Sequence, residues 1–254
     1  RMRRDLPNRS SIGGLFVNRQ ATGSQALGTD YNRTYAVDGR WGIGQNGLVQ
    51  GFVGRTNTPG RDGRDHALNV SGTYSSARWR LISGYQENGE DFNPEVGFVQ
   101  RTAFRKYDFG LRNTSRPNGI LKMQELTPHM SFTRFWNFEG IMETSFLHLH
   151  FPVEFEDSTS VSVSYDVRSE EVFNQFTVSG LSVPPGRYDF NELTYSYNSD
   201  RSAPLSVGLR ATTAGFFAGD IVTLRPSIDA RYGETFNLRL SYSRNDIDLP
   251  TGSV

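Results

Sequence analysis

The dominant period along the chain is two. From Val161 to Val167 every second residue is apolar (Val161, Val163, Tyr165, Val167), with Ser162, Ser164 and Asp166 between them. Leu205, Val207 and Leu209 alternate with Ser206, Gly208 and Arg210, and Leu238, Leu240 and Tyr242 with Asn237, Arg239, Ser241 and Ser243. Tyr107, Phe109 and Leu111 alternate with Lys106, Asp108, Gly110 and Arg112, and Leu68, Val70 and Tyr74 with Asn69, Ser71 and Thr73. Successive strand side chains point to opposite faces, so each run puts one chemistry on each face of a sheet and fits no helical stripe. The stretch 48–55 is less regular, with Leu48, Val49, Phe52 and Val53 falling on both faces.

Turn dipeptides punctuate the runs at Asp38-Gly39, Asn46-Gly47, Asn88-Gly89, Asn118-Gly119, Pro185-Gly186 and Gly219-Asp220. They supply the backbone angles that tight hairpins need. Pro59, Pro94, Pro117, Pro184, Pro185 and Pro250 stand in the gaps, as strands require. The breaks predict roughly a dozen strands. They fall near 11–20, 30–43, 47–56, 65–75, 77–87, 102–115, 119–136, 139–153, 158–170, 188–199, 203–217, 220–232 and 235–248.

Length separates two all-β architectures. Soluble sandwiches use strands of ~5–6 residues with turn signals every ~8–12. A strand of ~12 residues rises ~40 Å, or ~30 Å along the membrane normal when tilted ~40°, which crosses an outer-membrane apolar band of ~25 Å. The longer segments here predict an all-β antiparallel up-and-down meander forming part of a transmembrane β-barrel. No internal repeat or linker divides residues 1–254, which read as a single β-barrel domain.

Composition narrows the function classes. Mean hydropathy is −0.52, yet aromatic residues make up 13%, a combination that suits a surface facing two solvents. No run of ~20 apolar residues is present for a spanning helix, a test that strands escape because their alternation averages out to polar. The formal net charge of +0 argues against a nucleic-acid partner, which demands a basic surface. The absence of cysteine removes disulfides, thiolate metal sites and a cysteine nucleophile together. The chain opens at Arg1 without a methionine or signal-like apolar run, and it reads as a fragment incomplete at both ends.

Three stretches carry a family resemblance: Gly89-Glu90-Asp91-Phe92-Asn93-Pro94-Glu95-Val96-Gly97-Phe98-Val99, Val183-Pro184-Pro185-Gly186-Arg187-Tyr188-Asp189-Phe190, and Phe216-Phe217-Ala218-Gly219-Asp220. With Arg3-Arg4-Asp5 and Ser11-Ile12-Gly13, the first of them resembles an uncharacterised bacterial outer-membrane β-barrel domain typically found C-terminal to a family 9 carbohydrate-binding-like module. The resemblance implies the bacterial outer membrane as location and its lipid as partner. It implies no catalytic residues, and any saccharide contact belongs to a module outside this chain.

Several groups invite a chemical reading. Glu87, Glu90, Asp91, Asn93 and Glu95 form an acidic loop that offers oxygen ligands to calcium, against the plainer reading of a polar hairpin loop. A third reading folds this loop inward as a plug or constriction. His148 and His150 are two apart on a strand and share a face, the spacing of a transition-metal pair, but no third ligand stands nearby in sequence. The plainer reading makes them lumen-facing polar side chains, beside a charged interior of Lys106, Asp108, Arg112, Asp166, Arg210 and Arg239. Tyr35, Trp41, Tyr74, Trp79, Phe135, Trp136 and Tyr232 are placed to form interfacial girdles.

The carboxylates Glu139, Glu143, Glu154, Glu156 and Asp157 include no pair whose ~5 Å separation across a sugar could be read from sequence. No nucleophile-elbow, phosphate-loop or dinucleotide fingerprint is present. The sequence therefore predicts a non-enzymatic outer-membrane barrel that anchors or transports in carbohydrate handling, without a cofactor. Two rivals stay open: a secreted carbohydrate-active hydrolase of β-rich architecture, and a soluble structural or binding β-domain. The faces decide between them, because a membrane barrel is apolar outside and polar within.

Overall fold

The computed structural model describes residues 1–24, 27–117, 119–178, 181–216, 219–233, 235–249 and 252–253. Asn118, Phe217, Ala218 and Pro250, each named above, lie outside the described residues. Every regular element described is a β-strand, and none is a helix that could cross a membrane. The chain divides into two units: residues 1–76, 80–110 and 133–142 make up unit 1, and residues 77–79, 111–132 and 143–254 make up unit 2.

Unit 1 opens with β1 (Met2–Leu6), β2 (Ser10–Gln20), β3 (Tyr31–Ile43), β4 (Gly47–Asn57), β5 (His66–Ser75) and all but the first residue of β6 (Trp79–Asn88). Each of β1 to β5 pairs antiparallel with its successor in sequence. Most of β7 (Phe104–Asn113) follows after a long loop. The turns at 7–9 and 44–46 are short, whereas 21–30, 58–65 and 89–103 are long. Short turns at one end and long loops at the other are the habit of outer-membrane barrels.

The faces of unit 1 are inverted relative to a soluble protein. Phe16, Tyr35, Val37, Trp41, Val53 and Val70 are exposed, whereas Ser11, Asn32, Thr34, Thr56 and Asn88 are buried. Register explains the sorting. Phe16 stands opposite Tyr35, and Val37 opposite Val53. On the other face Thr34 stands opposite Thr56, and Ala67 opposite Asn88. The irregular 48–55 stretch is resolved by the same register, which puts Val49 and Val53 on the apolar face and Leu48 and Phe52 on the polar one.

Unit 2 holds β8 (Met123–Leu126), much of β9 (His129–Trp136) and nearly all of β10 (Met142–Phe155). It continues through β11 (Ser160–Val172), β14 (Gly186–Asn198), β15 (Leu205–Phe216), β16 (Gly219–Tyr232), β17 (Phe236–Ser241), β18 (Arg244–Leu249) and β19 (Gly252–Ser253). A separate hairpin, β12 (Phe176–Val178) and β13 (Leu181–Val183), stands between β11 and β14. Pairing runs β8–β10–β11–β14–β15–β16, and β16 then receives β17 on one stretch and β18 on another. The inversion recurs: Val163, Tyr165, Val207, Leu209, Ile228 and Leu240 are exposed, whereas Asp166, Thr194, Ser206 and Thr223 are buried. β18 departs from it, setting Asp246 beside Val222 and Arg244 beside Leu224 on the apolar face.

Only Ala67, Phe92, Phe104, Val172, Val183 and Ala214 are buried apolar residues among those described. A dry apolar core with a polar exterior, the pattern of the soluble alternatives, is not what these strands build. Several boundaries differ from expectation. Asp38-Gly39 lies in the middle of β3, where Asp38 faces Gly13, because flanking alternation outweighs the turn propensity of the dipeptide. The segment 119–136 breaks into β8 and β9 at Thr127-Pro128, and 235–248 breaks into β17 and β18 at Tyr242-Ser243. Phe135 is no girdle residue; its ring meets that of Phe104, a buried side chain, at 5.6 Å.

Candidate functional site

In unit 1 the loop 89–103 folds back across the polar face of the strands that precede it. Gly89 is where it leaves β6, and a Cβ there would stand 1.8 Å from the Arg64 carbonyl oxygen, so the backbones pass in direct contact. The Asp91 amide donates to that carbonyl at 3.1 Å. Asn93 is then held from two strands. Its amide donates to Thr56 Oγ1 at 3.0 Å, and its carbonyl accepts from Asn32 Nδ2 at 2.7 Å. Farther along, Glu95 accepts from Arg19 at 2.5 Å, and Arg19 also pairs with Asp30 in the neighbouring loop. Asn32 and Thr56 are buried polar residues of β3 and β4, so part of the polarity of that face exists to seat this loop.

The acidic residues read as one loop are distributed among different partners, and Glu87 stands in β6 rather than in the loop. Glu87 accepts from His66 at 2.7 Å and Tyr85 at 2.6 Å and lies 3.5 Å from Arg105. Glu90 faces Arg64 at 3.5 Å, and Arg64 reaches Glu139 at 3.7 Å. Glu95 belongs to Arg19. Asp91 and Asn93 contribute backbone contacts that fix the turn. Among the described residues these carboxylates do not gather on one point.

Between the loop and the strands lies a cavity of about 710 Å³. Rings of Phe52, Phe92, Phe104 and Phe135 share its wall with the amides of Gln86, Asn88 and Gln100 and with Lys106. Lys106 sits 5.4 Å from the Phe135 ring centre and 2.8 Å from Asp108, and Arg101 lies over the rings of Phe104 and Phe135 at 5.5 and 5.0 Å. Phe98 is 90% exposed at the loop's edge of this cavity. Aromatic rings beside convergent amides and two cations, Lys106 and Arg101, are the lining of a small-molecule site. Sequence reasoning reached the loop, but missed the cavity, because the rings that face the loop's own Phe92 and Phe98 come from β4, β7 and β9.

Unit 2 assembles a second constellation. His148 and His150 share a face of β10, as their spacing predicts, and β9 brings His129 against them. The ligand atoms of the three imidazoles all lie within 4.8 Å of one another, the one such group among the described residues. His129 Nε2 and His150 Nδ1 are 3.3 Å apart. His148 Nδ1 meets Oδ1 of the buried Asp166, directly opposite on β11, and His129 Nδ1 meets the Thr127 carbonyl at 3.0 Å. Arg168 lies 3.5 Å from Asp166 and 4.7 Å over the Phe146 ring, which stacks on His148.

No protein-family model matches the chain, nor does any curated protein, so the expected tie to a family 9 carbohydrate-binding-like module gains no support. Solved structures do match. OccAB3 of Acinetobacter baumannii shares 11% identity at a TM-score of 0.53, over 98% of this chain and 73% of its own. OccAB2 of the same organism shares 12% at 0.52, over 96% and 70%. Both are outer-membrane β-barrel channels. Inverted faces, long antiparallel strands and this likeness agree on one architecture: the chain has the fold of an outer-membrane β-barrel.

Proposed function

We propose that this protein is a non-enzymatic barrel of the bacterial outer membrane that admits a small polar solute, with the loop 89–103 narrowing the path and the cavity beneath it serving as the solute's binding station. One observation carries the reading: the strands expose Val, Ile, Leu and aromatic side chains and bury Ser, Thr, Asn and Asp, an arrangement that suits lipid rather than water outside. The solute class we assign is saccharide. The exposed rings of Phe52 and Phe98 suit the C–H faces of a pyranose, and Gln86, Asn88 and Gln100 offer both donors and acceptors to hydroxyls.

The test uses the protein refolded in detergent and reconstituted in liposomes. Folding is checked by heat-modifiable gel mobility, and permeation by swelling in isotonic mono- and disaccharides against amino acids of similar size. Swelling fastest in sugars, and less size-selective after Asn93 to Phe98 are replaced by a short Gly-Ser linker, is the expected result. Recovery as a soluble monomer without detergent would overturn the membrane assignment. Equal rates for sugars and amino acids would overturn the saccharide assignment alone.

A further inference from the structure

We propose that His129, His148 and His150 form a binding site for a divalent transition-metal ion of the zinc class. The site lies within unit 2 and does not depend on the solute reading above.

The argument starts from the lone pairs. A carbonyl oxygen only accepts, so His129 Nδ1 carries the hydrogen toward Thr127 and leaves Nε2 with a free pair. The Asp166 carboxylate likewise takes the Nδ1 hydrogen of His148, leaving its Nε2 free. His150 presents Nδ1 to the same space, 3.3 Å from His129 Nε2. In a tetrahedral site with metal–nitrogen bonds of ~2.05 Å, two ligand nitrogens stand about 3.3 Å apart. One edge of the tetrahedron is thus already at its proper length, and a ring nitrogen of His148 stands within 4.8 Å of a nitrogen on each of the other two rings.

The surroundings fit a metal better than a chance gathering of polar rings. A carboxylate behind a ligating imidazole fixes its tautomer and raises its basicity, and that carboxylate is Asp166, 5% exposed. Its neighbour Arg168 is shared with Glu192 at 3.7 Å. Imidazole donors select zinc, copper or nickel over calcium or magnesium, which want oxygen. Three protein ligands leave a fourth position open, the pattern of sites that hold an exchangeable ligand rather than of closed structural ones.

The test uses the refolded protein without a polyhistidine tag, titrated with zinc in competition with a chromophoric chelator. One ion per chain is expected. His129→Gln and His150→Gln abolish binding, and Asp166→Asn weakens it ~10–100-fold without changing the stoichiometry. Gel mobility reports whether each variant folds. If the histidine variants do not, copper(II) bound to the unaltered protein gives an electron paramagnetic resonance spectrum with coupling to imidazole nitrogens. Absence of stoichiometric binding, binding unaffected by both histidine variants, or a copper spectrum with oxygen ligands alone overturns the assignment.

Discussion

The inversion of faces makes a quantitative prediction at two adjacent residues of β16. Ile228 is 46% exposed and stands in an apolar row between Val207 of β15 and Leu240 of β17. Ser227 is next in sequence but faces the other way, opposite Gly208 and Ser241. Tyr232, 82% exposed, ends the strand and marks the rim of the apolar face. Four residues separate Ile228 from that rim, which is ~13 Å along the strand and ~10 Å along the normal at a ~40° tilt. In an apolar band of ~25 Å this is close to the midplane, where arginine on the lipid face costs ~2–4 kcal/mol. Ile228→Arg should therefore lower the folding constant by a factor of roughly 30 to 1,000 in urea titrations of the liposome-refolded protein. Ser227→Arg, with its side chain over Gly208 on the polar face, should stay within ~0.5 kcal/mol of the parent. In a soluble β-domain the order would reverse, because Ile228→Arg would replace a water-exposed isoleucine. Equal costs for the two, or a cost only at Ser227, refute the face assignment.

The loop supplies the next prediction. Replacing Asn32 by alanine leaves the Asn93 carbonyl without its donor, and about 1–3 kcal/mol should be lost, seen as faster proteolysis within 89–103 while strand content by circular dichroism stays constant. Gly89→Ala forces a Cβ into the Arg64 carbonyl, and overpacking of that kind costs about 1–3 kcal/mol, read as a lower urea midpoint. The turn 199–204 responds to pH. The Asp200 carboxyl accepts from the Ser202 hydroxyl at 2.6 Å and its amide at 2.7 Å, which holds its pKa below the ordinary 3.8. A depressed carboxyl stabilises the fold above its unfolded pKa and loses that contribution as pH falls through the folded value. Ser202→Ala should move the Asp200 titration upward in a carbon-detected NMR series; an unmoved titration counts against the hydroxyl as its cause.

Most of the strand meander was legible because the side-chain period of a strand is short-range. Val161 to Val167 announces β11 without reference to any other segment. Failures occur where the next strand decides. Tyr107 to Arg112 alternates well enough to place β7, but nothing local tells that Phe135 packs on Phe104 rather than facing lipid. His129 stayed hidden for a related reason. With 119–136 taken as one strand, the break at Thr127-Pro128 is lost and so is the register of β9. The acidic loop attracted notice for its carboxylates, whereas its position is set largely by the backbone of Asn93 and by Asn32 and Thr56. Those two sit in ordinary alternation and give no sign of a partner.

The seating of that loop also bears on the order in which the protein matures. Strand pairing here joins neighbours in sequence, so hairpins zip with short loop closures and little entropic delay. The contacts that hold the loop span 37, 61 and 76 residues, and their partners become available only once β2, β3 and β4 stand side by side. The last event in unit 1 is then the docking of a tether onto a finished wall. A newly inserted molecule passes through a stage with its strands fully paired and its cavity not yet roofed. Protease access to 89–103 should persist after the strand signal has reached its final value, a lag that times the roofing step by itself.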